Sequence, residues 1–228
     1  RTCKPVASPS MKVDESAALP KETEGKYKSW SREILGKLLF LERCSRIDII
    51  QAVTHLCGRV CDWNENDDRL LDRLMDYCSG TTQMCLEWAV DSRDRDLISI
   101  VLLTDADWAT DRKTSKSVSS WNLTLIGPHT KATVNWGNRK QTFIARSTAE
   151  AETGAFVAGL VAALLPALLF IESIAAYMSV QGLKGRFGSS CTWSPVAKCD
   201  NNAACTAMNS RLAGRLSMLS KSSRINLH

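Results

Sequence analysis

Asp105, Glu152 and Asp200 stand at three places from which a side-chain oxygen could reach a shared metal ion. Asp105 closes an apolar run, residues 97–104 (LISIVLLT), that reads as a β-strand. Glu152 falls in the first turns of a long helical stretch, and Asp200 closes a short late strand over residues 195–199. A carboxylate at a strand terminus points into the crevice beyond the sheet edge, where α/β sheets bind ligands. Carboxylate oxygens are hard donors that suit Mg²⁺ or Mn²⁺. Two such ions about 4 Å apart can activate a water and stabilise a leaving oxygen in phosphodiester hydrolysis. Convergence is the condition. Isolated acids at strand ends more often serve as turn or cap residues, and composition alone does not bring these three together.

Two neighbouring acids compete for the same role. Ser147-x-x-Glu150 has capping-box spacing, so Glu150 can fold back onto the helix start and leave Glu152 free to face the site. Asp107 is a second-choice ligand, and the reading preferred for it is a turn residue.

The elements that must position these acids follow from periodicity. Residues 97–104, 117–126 and 132–136 are strand candidates, with a turn at Gly127-Pro128. A long helix runs onward from about Thr148, and residues 201–211 are helical again after the late strand. Three strands, a long helix, then a strand and a helix is an α/β order. The uncharged stretch 155–171 could be mistaken for a membrane span. It is shorter than the ~20 residues a bilayer requires, carries Gly159 and Pro166, and grows out of a polar helix start. No membrane span is expected there. Its stripes Phe156/Leu160/Leu164 and Val157/Val161/Leu165 are expected to pack on a sheet, and Pro166 to kink or end the helix.

Upstream the texture differs. Residues 1–29 hold three of the six prolines without apolar periodicity and read as an extended linker. From Ser31 to Cys78, apolar residues recur at three- and four-residue spacing in three segments: Ile34 to Leu41, Ile47 to Cys57 and Leu70 to Cys78. The acidic run Glu65, Asp67, Asp68 suits a helix N-terminus, although a solvated face is the reading preferred for it.

Composition bounds the rest. With 228 residues, 44% of them hydrophobic, the chain can bury one good core and a small second one. Twenty-nine Lys+Arg against 24 Asp+Glu give a formal net charge of +5, a mild excess that a nucleic-acid partner does not require but tolerates. Nine cysteines form no CxxC pair and the three histidines are scattered, which speaks against zinc. Reduced thiols among apolar neighbours, and hence a reducing intracellular compartment, are expected. The chain begins at Arg1 rather than Met, so no reading of targeting rests on that end.

Thr104-Asp105-Ala106-Asp107-Trp108-Ala109, followed by Asp111-Arg112-Lys113-Thr114-Ser115, resembles the opening strand and turn of copia-type retrotransposon RNase H domains. Val134-Asn135-Trp136, Lys140-Gln141 and Ser147-Thr148-Ala149-Glu150-Ala151-Glu152 are similar to that family's third strand and helix entry. Cys199-Asp200-Asn201-Asn202-Ala203-Ala204 resembles its next strand-to-helix junction. Leu35-Gly36-Lys37-Leu38-Leu39-Phe40-Leu41, Arg46-Ile47-Asp48-Ile49 and Ala52-Val53 resemble the connection segment between polymerase and RNase H, and Lys4-Pro5-Val6 the linker leaving the polymerase. The motifs keep the family's order along nearly the whole chain.

The resemblance implies an α/β fold: an RNase H-like mixed sheet with flanking helices over residues 96–228, preceded by a small helical connection segment over 30–95 and the linker. It implies Asp105, Glu152 and Asp200 as ligands of Mg²⁺ or Mn²⁺, and an RNA–DNA hybrid as substrate. Arg112, Lys113, Arg139 and Lys140 become candidate phosphate contacts, as do Lys116 and Arg146, though a solvated basic surface accounts for them equally well. There are departures. The sequence reaches His228 before the family's fifth strand, final helix and fourth acidic residue, Thr153-Gly154 replace the usual aromatic after the helix-entry Glu, and residues 185–190 have no counterpart. They leave an alternative standing: a catalytically inactive, domesticated relic that needs no metal and serves as a structural subunit held to protein partners in a larger assembly.

Overall fold

Where apolar side chains recur at helical spacing between residues 31 and 80, the chain is helical: α1 (Ser31–Cys44), α2 (Ile50–Cys57) and α3 (Glu65–Gly80), with short 3₁₀ turns at Ile47–Ile49 and Val60–Asp62. The computed structural model describes residues 4–11, 24–111, 114–180 and 194–210; the sequence features at Arg112, Lys113 and 185–190 lie outside them. The chain divides into two units, Arg1–Leu86 and Glu87–His228.

In the first unit, Leu35, Leu38, Ile49, Val53, Leu56, Trp63, Leu71, Leu74 and Tyr77 form one apolar core. Asn64 caps α3 in a capping box with Asp67. The acidic run is not a solvated face: Asp67 and Asp68 are both buried. Asp68 accepts the backbone N–H groups of Lys26 (2.6 Å) and Tyr27 (3.1 Å) and the Trp63 indole N–H (2.7 Å). Together these donors satisfy a buried carboxylate that would otherwise lack partners. Residues 4–11 lie along α3, with Lys4 N–H donating to Asp76 and Arg73 donating to the Ser10 carbonyl. Arg46 is buried and satisfied by Asp48, the Thr81 hydroxyl and the Thr81 carbonyl, and Tyr77 donates its hydroxyl to the same Asp48.

The second unit is built on a four-stranded sheet in the order β3-β2-β1-β4. Its strands are β1 (Ser99–Asp111), β2 (Lys116–Ile126), β3 (Lys131–Lys140) and β4 (Ser194–Cys199). The β1–β2 and β2–β3 pairs are antiparallel and β1–β4 is parallel. A parallel pair needs a crossover, here supplied by α4 (Thr148–Gly159), a π turn (Leu160–Leu164) and α5 (Leu165–Val180). Helix α6 (Asn202–Ser210) follows β4 and lies beside α4. This mixed sheet with flanking helices is consistent with an RNase H-like fold.

Ile100, Leu102 and Leu123 face Ala163 and Leu164 across the sheet–helix interface, with Leu160, Ala167, Leu168 and Ile171 packed around them. Gly159 permits the closest approach. A Cβ there would lie 2.9 Å from Thr104 Cγ2 and 3.1 Å from Trp121 Cβ. At Gly154 a Cβ would lie 2.6 Å from the Phe143 ring, so an aromatic from the preceding loop fills the space beside this helix.

The helix does not end at Pro166. The irregularity is the π turn just before it, where Leu165 N–H bonds the Leu160 carbonyl five residues back. In a regular helix the proline ring would meet the carbonyl four residues earlier, and the wider turn accommodates it. The turn also shifts the phase of the apolar stripe. Leu164, Leu168 and Ile171 pack on the sheet, whereas Val161 and Leu165, expected against it, are exposed. By length and composition the helix spanning Thr148–Tyr177 is apolar enough to cross a membrane; its first half is packed on the sheet.

The two helical glycines Gly159 and Gly36 should respond oppositely to alanine. Gly159→Ala forces a methyl into the Thr104–Trp121 contact and should destabilise the chain by about 1–3 kcal/mol. Gly36 lies exposed in α1 with nothing near a prospective Cβ, so Gly36→Ala should stabilise it by about 0.5–1 kcal/mol. Chemical denaturation of both variants reads the two signs.

Candidate metal centre

The parallel ladder between β1 and β4 runs from Ser99↔Ser194 to Thr104↔Cys199. Asp105 and Asp200 therefore follow at the same level on adjacent strands. Both are exposed. Beyond that last pair β1 stays paired with β2 on one side but has no partner on the β4 side, and that edge is where the third acid arrives. Glu152 is only 6% exposed, and the backbone N–H of Ala106 is near enough to favour its charged form.

Helix α4 is held at the angle that delivers Glu152. Ser147 accepts the Glu150 N–H (3.2 Å) and caps the helix, and Glu150 folds back to accept the Arg146 N–H (2.7 Å). Gln141 donates to both Ser119 Oγ (2.9 Å) and the Ala151 carbonyl (2.8 Å), tying the helix start to β2. Glu150 is thus used up in capping, and Glu152 is the acid that reaches the sheet edge.

Glu152, Cys199 and Asp200 bring their ligand atoms within 4.8 Å of one another. The Cys199 thiol donates to Glu152 Oε2 at 3.7 Å. Asp105 stands outside that cluster. Asp105 follows Thr104, whose side chain approaches Gly159 on the helix side. Its charge still reaches Glu152. Burial is the main cause that raises the Glu152 carboxyl to about 6, and the negative charges of Asp105 and Asp200 add to it against the Ala106 hydrogen bond. Burial likewise pushes the Cys199 thiol up to about 11, so it remains a neutral donor. Its place in the cluster was readable in principle, because the residue paired with the helix-facing Thr104 must itself face the helix.

The remaining candidates sit elsewhere. Asp107 is exposed where the β1–β2 register shifts, and its carbonyl accepts the Thr110 hydroxyl. Lys140 is ion-paired with Asp111, and Arg139 is exposed on β3 opposite Ser119.

The donor set suits a hard divalent cation: two carboxylates close together, one of them buried and raised mainly by that burial, with a third nearby. A cation there would offset the repulsion from Asp105 and Asp200 that adds to the effect of burial on Glu152. Without metal that repulsion is uncompensated. Because the folded carboxyl binds its proton more tightly than the ordinary 4.5, its ionisation costs stability as pH climbs from below 4.5 to above about 6. Glu152→Gln in metal-free buffer should therefore melt about 5 °C above the parent chain at pH 8. The advantage should vanish near pH 4. Melting curves across that range check both, and a difference independent of pH would deny the carboxyl this environment.

No family model matches the chain, and no solved structure matches it. Among curated proteins it is similar to the "Uncharacterized mitochondrial protein AtMg00810" of Arabidopsis thaliana, 28% identical over 151 residues, covering 66% of this chain and 58% of that protein. It is equally similar, at 28% identity, to two retrovirus-related Pol polyproteins of the same plant, from transposons RE2 (156 residues) and RE1 (151 residues). Those matches also cover 66% of this chain but only 10% of each polyprotein. Over about two thirds of its length, then, the chain is similar to two retrovirus-related Pol polyproteins, of which it spans about a tenth, and to one uncharacterized mitochondrial protein, of which it spans 58%.

Proposed function

We propose that this chain is the connection segment and RNase H-like domain of a retrotransposon polyprotein, acting on the RNA strand of RNA–DNA hybrids by metal-dependent hydrolysis. The observation that carries the reading is the buried Glu152 carboxylate at the free edge of β1, beside Asp200 and within the field of Asp105. The similarity to retrovirus-related Pol polyproteins supports a retroelement origin. Glu152, Asp200 and Asp105 are the residues that would hold Mg²⁺ or Mn²⁺. Bound there, the ions supply polarisation of water and neutralisation of charge on a phosphodiester.

The chain's own groups do the rest. The Ala106 N–H and the Cys199 thiol orient the Glu152 carboxylate, and α4 keeps its inner side dry. Hybrid recognition would rest on backbone shape and 2′-hydroxyl contacts, with Arg139 and Arg146 near enough in sequence to the site elements to serve phosphates.

A second reading, the inactive structural relic, is favoured by two specific observations. Asp105 is not part of the Glu152–Cys199–Asp200 cluster. The outer side of α5 also displays Leu165, Leu169, Phe170 and Tyr177 to solvent, a surface of the kind that partner proteins cover.

Purified chain, a labelled hybrid and Asp105→Asn separate the two. Hydrolysis predicts Mg²⁺-dependent cleavage that drops roughly 100-fold or more in the variant, since the substitution keeps shape but removes a charge that holds the ion. The relic predicts no cleavage at any metal concentration, with stability unchanged or raised by relief of repulsion. Cleavage that survives Asp105→Asn counts against both.

A further inference from the structure

Trp108 is used by neither the core nor the carboxylate centre. It belongs to the run Asp105-Ala106-Asp107-Trp108-Ala109, yet it joins no apolar cluster among the described residues, and it is 48% exposed. The ring is nonetheless fixed: its indole N–H donates to the Ala145 carbonyl at 3.1 Å. A large aromatic side chain anchored at one edge and open to solvent elsewhere is a platform whose exposed surface gains by being covered.

Its position follows from the strand. Ala106 N–H holds Glu152, and Trp108 comes two residues later, about 7 Å further along β1. There the β1–β2 register shifts between Asp107 and Asp111, and Ala109 takes a positive φ of 53°. A non-glycine residue in that region is strained unless its surroundings hold it. Here the Ala109 N–H is held by Ser117 Oγ at 3.1 Å. The ring's anchor, Ala145, is buried and directly precedes the exposed Arg146 at the entry to α4. An open indole, an exposed guanidinium-bearing residue next to its anchor, and a carboxylate centre one strand pleat away thus share one end of the unit. Aromatic faces paired with cationic side chains are how proteins seat nucleic-acid strands without reading their sequence.

We infer that Trp108 is a substrate-binding residue that packs its open face against a sugar or base of the nucleic-acid strand presented to Asp105, Glu152 and Asp200. The inference deepens the RNase H-like reading: it assigns a strand-positioning role beside the metal-binding one. Trp108 holds the strand and takes no part in bond cleavage, so its loss should show in binding and KM rather than in metal dependence.

The test uses the full chain carrying Asp105→Asn, so that hybrid is not consumed, and fluorescence anisotropy of a labelled RNA–DNA hybrid. Trp108→Ala should weaken binding roughly tenfold. Trp108→Phe keeps a stacking ring but loses the N–H to Ala145, and should bind within about threefold of its parent. Trp88→Ala, at another exposed tryptophan, should change nothing. Equal losses for Trp108→Ala and Trp108→Phe would show that the residue acts only through its bond to Ala145, and overturn the inference. So would unchanged binding in Trp108→Ala, an equal loss in Trp88→Ala, or a parent chain that binds no hybrid. A wild-type chain that binds hybrid without Mg²⁺-dependent cleavage, and binds it more weakly after Trp108→Ala, sinks the hydrolytic reading and sustains this one.

Discussion

Parallel pairing of β1 with β4 is the constraint on which the second unit depends. Antiparallel neighbours can be joined by a tight turn, as β1, β2 and β3 are, but a parallel neighbour cannot. The chain must leave the end of β3, climb over the sheet and return to the start of β4, and α4, the π turn and α5 make that climb. The same register that hydrogen-bonds Thr104's level to Cys199's sets Asp105 and Asp200 at equal height. Because β4 stops there and β1 does not, the β4-side edge of β1 has no strand partner beyond Thr104, and the Ala106 N–H near Glu152 favours its charged form. Strand pairing, helix path and acid placement are one arrangement seen from three sides.

Placing a carboxylate in that notch has a cost that its neighbours only partly offset. Desolvation disfavours the ionised Glu152, and two further acids nearby add to the strain. Among the described residues the Cys199 thiol donates to it, and the Ala106 backbone favours its charged form. Sites arranged this way sit at a higher energy than the fold requires, which is what is expected where an arrangement is kept for a ligand rather than for stability. The contrast lies within the same chain. Asp68 is as deeply buried but accepts three N–H donors, so its charge is spent on tying residues 24–30 to α3.

How much of this was legible in the sequence differs by kind of interaction. The four strands and the five helical stretches, the long one of which the π turn divides into α4 and α5, were readable because each carries its own signal, an apolar run or a three-to-four spacing, and local signals survive without knowledge of neighbours. The division of labour between Glu150 and Glu152 was readable for the same reason, since capping acts within four residues. The burial of Asp67 and Asp68 was not, because the groups that satisfy Asp68 include backbone N–H groups about forty positions upstream. The outward display of Val161 and Leu165 escaped because a period of 3.6 was carried through a segment that has a different one.

That segment records something about how such a sequence can change. A π turn is a helix carrying one surplus residue, taken up locally so that everything downstream keeps its facing. Removing either exposed member of the turn, Val161 or Ala162, would restore a uniform helix with Leu164, Leu168 and Ile171 still against the sheet. It would also bring back the collision between the Pro166 ring and the carbonyl four positions before it. The inserted residue and the proline are therefore a linked pair in descent: a lineage that deletes the one is under immediate pressure to replace the other, and a lineage that acquires the proline first needs the insertion to keep it.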